Sequence, residues 1–263
     1  MSRLRALVFY IAFFGVTALL GAAGLPVLLM PRRWVMRFGR VWARSVLALL
    51  RTIIGLDSEI SGLEHIPSGP SIIAMKHQSA WDTLILPLIL DDFAVVLKRE
   101  LLFVPFYGWY AARAGSIAID RRGGAGALRQ MVRAARRATA AGRPVVIFPE
   151  GTRTAPGHRL VYQPGVAALY QALALPVVPA AVNSGLFWGR RSFVKRPGRI
   201  TLAFLEPIPP GLPRRQLMSE LEARIEAATS ALEREAANSQ GAGERGEGNQ
   251  SSSPPPPRIW SSE

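Results

Sequence analysis

The feature that most limits the fold is a long apolar run near the N-terminus. No formally charged residue lies between Ala6 and Met30, and an uncharged run of this length is sufficient to cross a bilayer. A secretory signal peptide is the alternative, because two arginines precede the run, but the apolar stretch is longer than a signal peptide requires. Pro26 and two nearby glycines interrupt it, so the segment can either span a membrane or bend back into one leaflet. We expect a membrane-associated helix here.

The next segment has the pattern of a basic amphipathic helix. Its arginines recur at spacings that place them on one helical face, and two tryptophans and several aliphatic residues lie largely off that stripe. Such a helix suits the anionic cytoplasmic face of a membrane, whereas the alternative is an ordinary surface helix of the following domain. Residues 1–57 are therefore predicted to form a membrane anchor and an interfacial helix, with the rest of the chain on the cytoplasmic side of the inner membrane. The arginines are Arg33, Arg37, Arg40, Arg44 and Arg51.

Residues 58–237 alternate short strand-like runs with helical patterns, which predicts an α/β domain with a mixed sheet flanked by helices. The remaining residues, 238–263, are rich in Gly, Ser, Pro and charge and are predicted to be a disordered tail. Strands are predicted at 71–75, 94–97, 116–119, 144–148, 177–182 and 200–205, and helices at 80–90, 124–141, 165–175 and 214–237.

Composition excludes several kinds of chemistry. The chain has no cysteine, which rules out disulfides, thiolate metal sites and a cysteine nucleophile. Its formal net charge of +14 favours an anionic partner. The basic helix at 124–141 has no groove-reading motif beside it, so we expect no nucleic acid partner. His65 and His158 are isolated from other ligand residues, so we expect neither a metal nor a cofactor.

The first candidate for chemistry is the segment 76–83, where a predicted strand ends and a helix begins. His77 and Asp82 would lie about 140° apart on a continuous helix, so they meet only if His77 is on the turn before the helix. Ser79 can supply that helix start as N-cap, with Asp82 at the third helical position. Asp82 could then accept a hydrogen bond from one ring nitrogen of His77, which fixes the tautomer and leaves the other nitrogen free as a base. The alternative is a capping acid beside an unrelated loop histidine.

A second candidate is the turn 148–153, which follows an apolar strand. Its Gly151, Thr152 and Arg153 can offer backbone donors, a hydroxyl and a planar guanidinium to a phosphate, with Glu150 beside them. By itself the pattern is equally compatible with a turn that carries a solvated ion pair.

A third candidate joins cations to an apolar aromatic segment. Lys98 and Arg99 precede the aromatic stretch 105–109, and Arg121 follows the next predicted strand. A phosphate next to an acyl chain requires this combination of charge and apolar surface. The alternative is a structural loop whose aromatic side chains pack into the core.

Taken together, these segments resemble the glycerophospholipid acyltransferase family, whose hallmarks are a His-x4-Asp block and a downstream Phe-Pro-Glu-Gly-Thr-Arg block. The resemblance covers roughly residues 58–210. It implies that His77 and Asp82 form a catalytic dyad, and that Glu150, Gly151 and Arg153 bind the phosphate of the acceptor, with Thr152 in the same block. It places Lys98, Arg99 and Arg121 near the acceptor. Two positions depart from the family pattern, Lys76 where Asn is common and Gln163 near the place of a Lys.

The resemblance implies direct acyl transfer. His77 would deprotonate the free hydroxyl of a lysophospholipid, expected to be 1-acylglycerol-3-phosphate, as that oxygen attacks an acyl thioester of coenzyme A or of acyl carrier protein. Membrane lipid is the other expected partner. The alternatives are an enzyme of the same family with another lysolipid or aminolipid acceptor, and a non-catalytic protein that binds anionic membranes.

Overall fold

The structure is a computed structural model and describes residues 2–243. It contains a mixed α/β arrangement, as the sequence predicts. The helices are α1 (Ser2–Ala23), α2 (Arg32–Leu49), α3 (Trp81–Leu84), α4 (Leu86–Ile89), α5 (Tyr107–Arg113), α6 (Gly124–Ala140), α7 (Gly165–Leu173) and α8 (Arg214–Gly243). The strands are β1 (Leu56–Ser61), β2 (Ile72–Met75), β3 (Ala94–Lys98), β4 (Ile117–Ile119), β5 (Val145–Ile147), β6 (Val177–Val182) and β7 (Gly198–Phe204).

The strands form one seven-stranded sheet in the order β1-β7-β6-β2-β5-β3-β4. All neighbours are parallel except β6 and β7, which are antiparallel. The carboxyl ends of β2, β5, β3 and β4 therefore meet at one edge of the sheet, where open α/β sheets usually carry their binding sites. The predicted candidate segments all follow strands that end at this edge.

The two faces of the sheet are covered by different helices, and strand β2 shows the division. Ile73 and Met75 face a core layer that includes residues of α2, whereas Ile72 and Ala74 face the layer formed by α6, α7 and α8. Successive strand side chains point to opposite faces. We call these layers the α2-side core and the α8-side core.

The N-terminal helices belong to the α2-side core. Phe9 of α1 and Val46, Leu47 and Leu50 in and after α2 are buried there together with strand residues. Residue 58, the predicted domain start, therefore lies within a strand, β1, and does not separate two cores. Strand β1 was not predicted, because the Asp, Ser and Glu residues of this strand obscure the apolar alternation.

Helix α1 is long and apolar enough to cross a membrane. Most of its large apolar side chains face outward, including Leu4, Ile11, Phe14 and Leu19. Helix α2 instead packs its apolar face on the domain and pairs Arg40 with the loop residue Asp91, at 3.0 Å between Nη2 and Oδ1.

Three further elements differ from the sequence prediction. The predicted helix 80–90 is divided into α3 and α4, with Pro87 in the first turn of α4, where its missing N–H is tolerated. The aromatic stretch at 105–109 leads into α5, which was not predicted. Helix α8 continues past its predicted end at residue 237 to Gly243. Residues 238–243 are therefore helical, and the rest of the predicted tail lies outside the described residues.

Candidate active site

The predicted pair of His77 and Asp82 meets at the carboxyl end of β2. The distance between His77 Nδ1 and Asp82 Oδ2 is 2.8 Å. His77 lies on the turn after the strand, and Asp82 lies in the first turn of α3. Ser79 Oγ accepts a hydrogen bond from the Trp81 amide at 3.1 Å, and Asp82 Oδ2 accepts one from the Ser79 amide at 2.8 Å. The predicted N-cap is nevertheless one residue too early, because Ala80 is the N-cap of α3 and Asp82 lies at its second helical position.

Asp82 is fully buried, and each of its oxygens has a partner. Oδ2 accepts a further hydrogen bond from the Gln78 amide at 2.7 Å, and Oδ1 accepts one from Ser184 Oγ at 2.5 Å. These donors fix the orientation of the carboxylate toward the imidazole. Ser184 was not predicted as a site residue. Its only signal in the sequence is its position two residues after the end of β6, at the same edge of the sheet.

The second candidate segment packs directly on the first. The rings of Phe148 and His77 stack with their centroids 4.1 Å apart. The His77 amide donates to Glu150 Oε2 at 3.1 Å, and the His77 carbonyl accepts from the Thr154 amide at 2.8 Å. His77 is therefore held by contacts to its ring face, to Nδ1, to its backbone amide and to its backbone carbonyl.

Gly151 forms the bend in this segment. Its φ of +70° is strained for other residues, and an added Cβ would lie 3.2 Å from Gln163 Cγ. The Gly151 amide already donates to the Phe148 carbonyl at 2.9 Å, so it is committed to the turn.

Glu150 does not face the solvent. It is 2% exposed, and its Oε1 lies 2.7 Å from Lys76 Nζ. The angle of this contact falls outside hydrogen-bond limits, so it is an ion pair. Lys76 is itself buried and donates to Glu226 Oε1 of α8 at 2.7 Å. Tyr162 Oη donates to the same Glu226 oxygen at 3.0 Å, and burial, followed by the charge of Glu226, raises the pKa of Tyr162.

The dyad borders a cavity of about 1290 Å³. Lys98, Arg121, Thr152 and Arg153 lie in its wall, as predicted from their positions after strands. Arg99 instead turns toward Asp120, with Nη1 and Oδ2 4.0 Å apart, and it is not one of the lining residues. Sequence reasoning missed Arg191, a lining residue from the loop after β6.

The rest of the cavity wall is largely apolar. It includes Leu101 and Leu128 on one side and Phe13 and Trp188 on another. A smaller apolar cavity of about 160 Å³ lies between α1, α2 and α5 and shares Trp42 with the large one. Within residues 2–243, no group of three His, Cys, Asp or Glu side chains is arranged to hold a metal ion.

The sequence profile of the acyltransferase family matches residues 57–183. Residues 57–183 are therefore a domain of the acyltransferase family, and they contain both segments that form the dyad site.

Its relatives include named enzymes. The chain is 42% identical over 159 residues to a 1-acyl-sn-glycerol-3-phosphate acyltransferase of Pseudomonas aeruginosa, which covers 60% of this chain and 62% of the relative. An enzyme of the same name from Limnanthes alba is 31% identical over 185 residues, covering 69% of this chain and 66% of the relative. The chain thus matches slightly less than two thirds of the length of these relatives.

The fold is similar to that of the 1-acyl-sn-glycerophosphate (LPA) acyltransferase PlsC from Thermotoga maritima. The TM-score is 0.74 over 88% of this chain and 98% of the other, at 21% sequence identity. This similarity confirms the α/β fold with its N-terminal helices.

Proposed function

We propose that the protein transfers a fatty acyl group from an acyl thioester to the sn-2 hydroxyl of 1-acyl-sn-glycerol-3-phosphate, which gives phosphatidic acid. The observation that carries this proposal is the His77–Asp82 pair at the wall of a large cavity that contains both cations and apolar surface. The names of the relatives support the choice of acceptor.

His77 is the proposed general base. Asp82 accepts a hydrogen bond from Nδ1–H, which leaves Nε2 as the basic nitrogen. Nε2 takes the proton of the acceptor hydroxyl as its oxygen attacks the thioester carbonyl, and a tetrahedral oxyanion forms. The intermediate then collapses, the C–S bond breaks, and the departing thiolate takes the proton back from His77. Either coenzyme A or acyl carrier protein can be the thiol in this scheme, and no cofactor takes part.

The acceptor phosphate is proposed to bind near Lys98, Arg121 and Arg153. These cations line the same cavity as the base, and Thr152 adds a hydroxyl. Glu150 and Gly151, which the family resemblance associates with phosphate, are proposed to act indirectly: Glu150 is buried against Lys76, and Gly151 shapes the turn. Arg99 does not line the cavity, so we do not propose that it contacts the phosphate.

The outward apolar face of α1 is proposed to bind membrane lipid. Ile11 and Phe14 are about two thirds exposed, at 66% and 62%, which is unusual for large apolar side chains in contact with water. We propose the inner membrane, with the domain on the cytoplasmic side, because the arginines of α2 follow the apolar helix directly.

The direct test is transfer of a labelled acyl group from acyl-coenzyme A or acyl carrier protein to 1-acylglycerol-3-phosphate by the purified protein. We expect turnover by the wild type, a loss of at least about a thousandfold in His77→Ala, and unchanged activity in His158→Ala, because His158 is exposed. Equal activity of His77→Ala and wild type would disprove the mechanism. If the wild type acts on another lysolipid or an aminolipid but not on this acceptor, the proposed substrate is wrong while the reaction class stands.

A further inference from the structure

The residues on either side of His77 point away from the cavity. In strand β2, Ile72 and Ala74 face the α8-side core, and this alternation continues beyond the strand, so that Lys76 and Gln78 also turn toward α8. His77 points to the opposite side and stacks on Phe148. The base is therefore flanked by two side chains that are anchored on the far face of the sheet.

One anchor is the ion pair between Lys76 and Glu226. Both side chains are buried, with 1% and 5% of their surface exposed, and Nζ lies 2.7 Å from Oε1. The charges alternate through this cluster from Glu150 to Lys76 to Glu226, and then to Arg159, whose Nε is 3.8 Å from Glu226 Oε2. Lys76 is the shared cation of this cluster, and its removal would leave two buried carboxylates without compensation, which is strongly unfavourable.

The other anchor is the hydrogen bond between Gln78 and Glu233. Gln78 Nε2 donates to Glu233 Oε1 at 2.8 Å, and the second oxygen of Glu233 accepts from the Gly157 amide at 3.1 Å. Gln78 Oε1 in turn accepts from the Gly185 amide at 3.0 Å, next to Ser184. This carboxylate thus connects three loops at the carboxyl edge of the sheet.

Glu226 and Glu233 lie two helical turns apart and so share one face of α8. Helix α8 lies wholly outside the family match at residues 57–183. The helix also packs apolar side chains, Leu217, Leu221 and Ile225, into the α8-side core. A helix that is merely structural does not need two carboxylates aimed at the neighbours of the base.

We propose that Glu226 and Glu233 of α8 are positioning residues that hold His77 in its reactive orientation through Lys76 and Gln78. Glu226 acts by sharing Lys76 with Glu150, and Glu150 Oε2 accepts the His77 amide hydrogen bond. Without Glu226, Lys76 shifts fully onto Glu150, and the contact between Glu150 and the His77 backbone is lost. Without Glu233, the side chain of Gln78 loses its anchor. The backbone amide of Gln78, which donates to Asp82, is then no longer held in place.

The kinetic test of this proposal rests on the proposed function. A second, chemical test does not depend on the identity of the acceptor. Glu226→Gln and Glu233→Gln are compared with wild type and with Glu235→Gln, an exposed residue of the same helix. The kinetic readouts are kcat and KM for acyl transfer to 1-acylglycerol-3-phosphate, with Tm measured on each protein. The chemical readout is the rate of carbethoxylation of each histidine by diethyl pyrocarbonate, resolved by peptide mass spectrometry, with exposed His158 as internal reference.

We expect kcat to fall about tenfold in each single variant and further in the double variant, with KM changed less than about twofold, because misplacement of a base affects the chemical step. We also expect the His77 rate to rise at least about threefold relative to His158, because the loosened ring becomes more accessible. Glu235→Gln should match the wild type in every readout.

A lower Tm combined with wild-type kcat and a wild-type His77 rate would overturn the proposal and leave α8 with a structural role alone. If the wild type does not acylate this acceptor, the proposed function fails, and the carbethoxylation rates still decide the positioning role.

Discussion

The imidazole of His77 and the ring of Phe148 stack at 4.1 Å between centroids, with an angle of 26° between their planes. The contact joins the two sequence blocks of the site through their aromatic faces. It also covers one face of the imidazole, and it leaves the in-plane lone pair of Nε2 available for proton transfer.

Replacing Phe148 with Leu keeps an apolar side chain but removes the planar support. We expect kcat to fall roughly three- to tenfold, the equivalent of one aromatic contact, with little change in KM. Steady-state kinetics on the purified variant will measure this, with Phe103→Leu as control, since Phe103 is 75% exposed. A rise in KM at constant kcat would show that Phe148 binds substrate and does not support the base.

Replacing Asp82 with Asn retains the shape of the side chain but removes its negative charge. The Asn oxygen can still accept from Nδ1, the Gln78 amide and the Ser79 amide, but no charge then stabilises the imidazolium that forms during proton transfer, and we expect kcat to fall roughly 10³- to 10⁴-fold, as for the aspartate of a Ser-His-Asp triad. Asp91→Asn, at an exposed position in a loop, is the control. The proposed role of Asp82 would be refuted if a well-folded Asp82→Asn protein kept more than about a tenth of wild-type kcat.

Gly151→Ala tests the backbone of the second block. With φ at +70° and Gln163 Cγ 3.2 Å from the new Cβ, the substitution should lower the free energy of unfolding by roughly 1–2 kcal/mol and reduce kcat. Gly126→Ala in α6 is the matched control, because its Cβ meets nothing within 4 Å, and it should be neutral or stabilising by up to about 1 kcal/mol. Thermal and denaturant unfolding will compare them, and equal stability of the two variants would contradict the expectation.

Lys195 should make stability depend on alkaline pH. Burial lowers its pKa to about 8, whereas the unfolded chain keeps the ordinary value of about 10.4. Between these values the unfolded chain binds a proton that the folded protein does not, so the free energy of unfolding rises with pH through this range.

Lys195→Met removes that dependence. We expect the Tm of the wild type to gain a few degrees relative to Lys195→Met between about pH 7.5 and 10, while Lys98→Met, at a half-exposed position, follows the wild type. Parallel Tm curves for Lys195→Met and wild type would show that Lys195 is not desolvated.

The dyad geometry was predictable because it depends on local chain chemistry. A helix start close to Ser79 places His77 before α3 and Asp82 within it, although the N-cap itself is Ala80. The position of the second block was also predictable from the local sequence, because the block follows an apolar strand. The sequence could not show that Glu150, the one carboxylate of the block, is buried against Lys76.

What could not be predicted lies far apart along the chain. Glu226 looks like one of several acidic residues on an amphipathic helix, and only the packing of α8 brings it to Lys76. Ser184 is as inconspicuous, because a lone serine after a strand has many uses. The sequence shows that Lys76 departs from the family pattern, but it does not show that Glu226 is the partner of this lysine. Arg99 and Arg121 looked equivalent by position, and only the side-chain arrangement distinguishes them.

The burial of Phe9 against Trp188, with ring centroids 5.8 Å apart at 87°, has a consequence for biogenesis. Helix α1 leaves the ribosome before the domain that follows it, and the surface that covers its inner face is synthesised only after most of that domain. During translation this aromatic face therefore stays unburied unless lipid or a chaperone covers it. For the same reason, a chain shortened to begin at β1 would expose the Trp188 surface to water, and such a protein should aggregate and not yield a soluble enzyme.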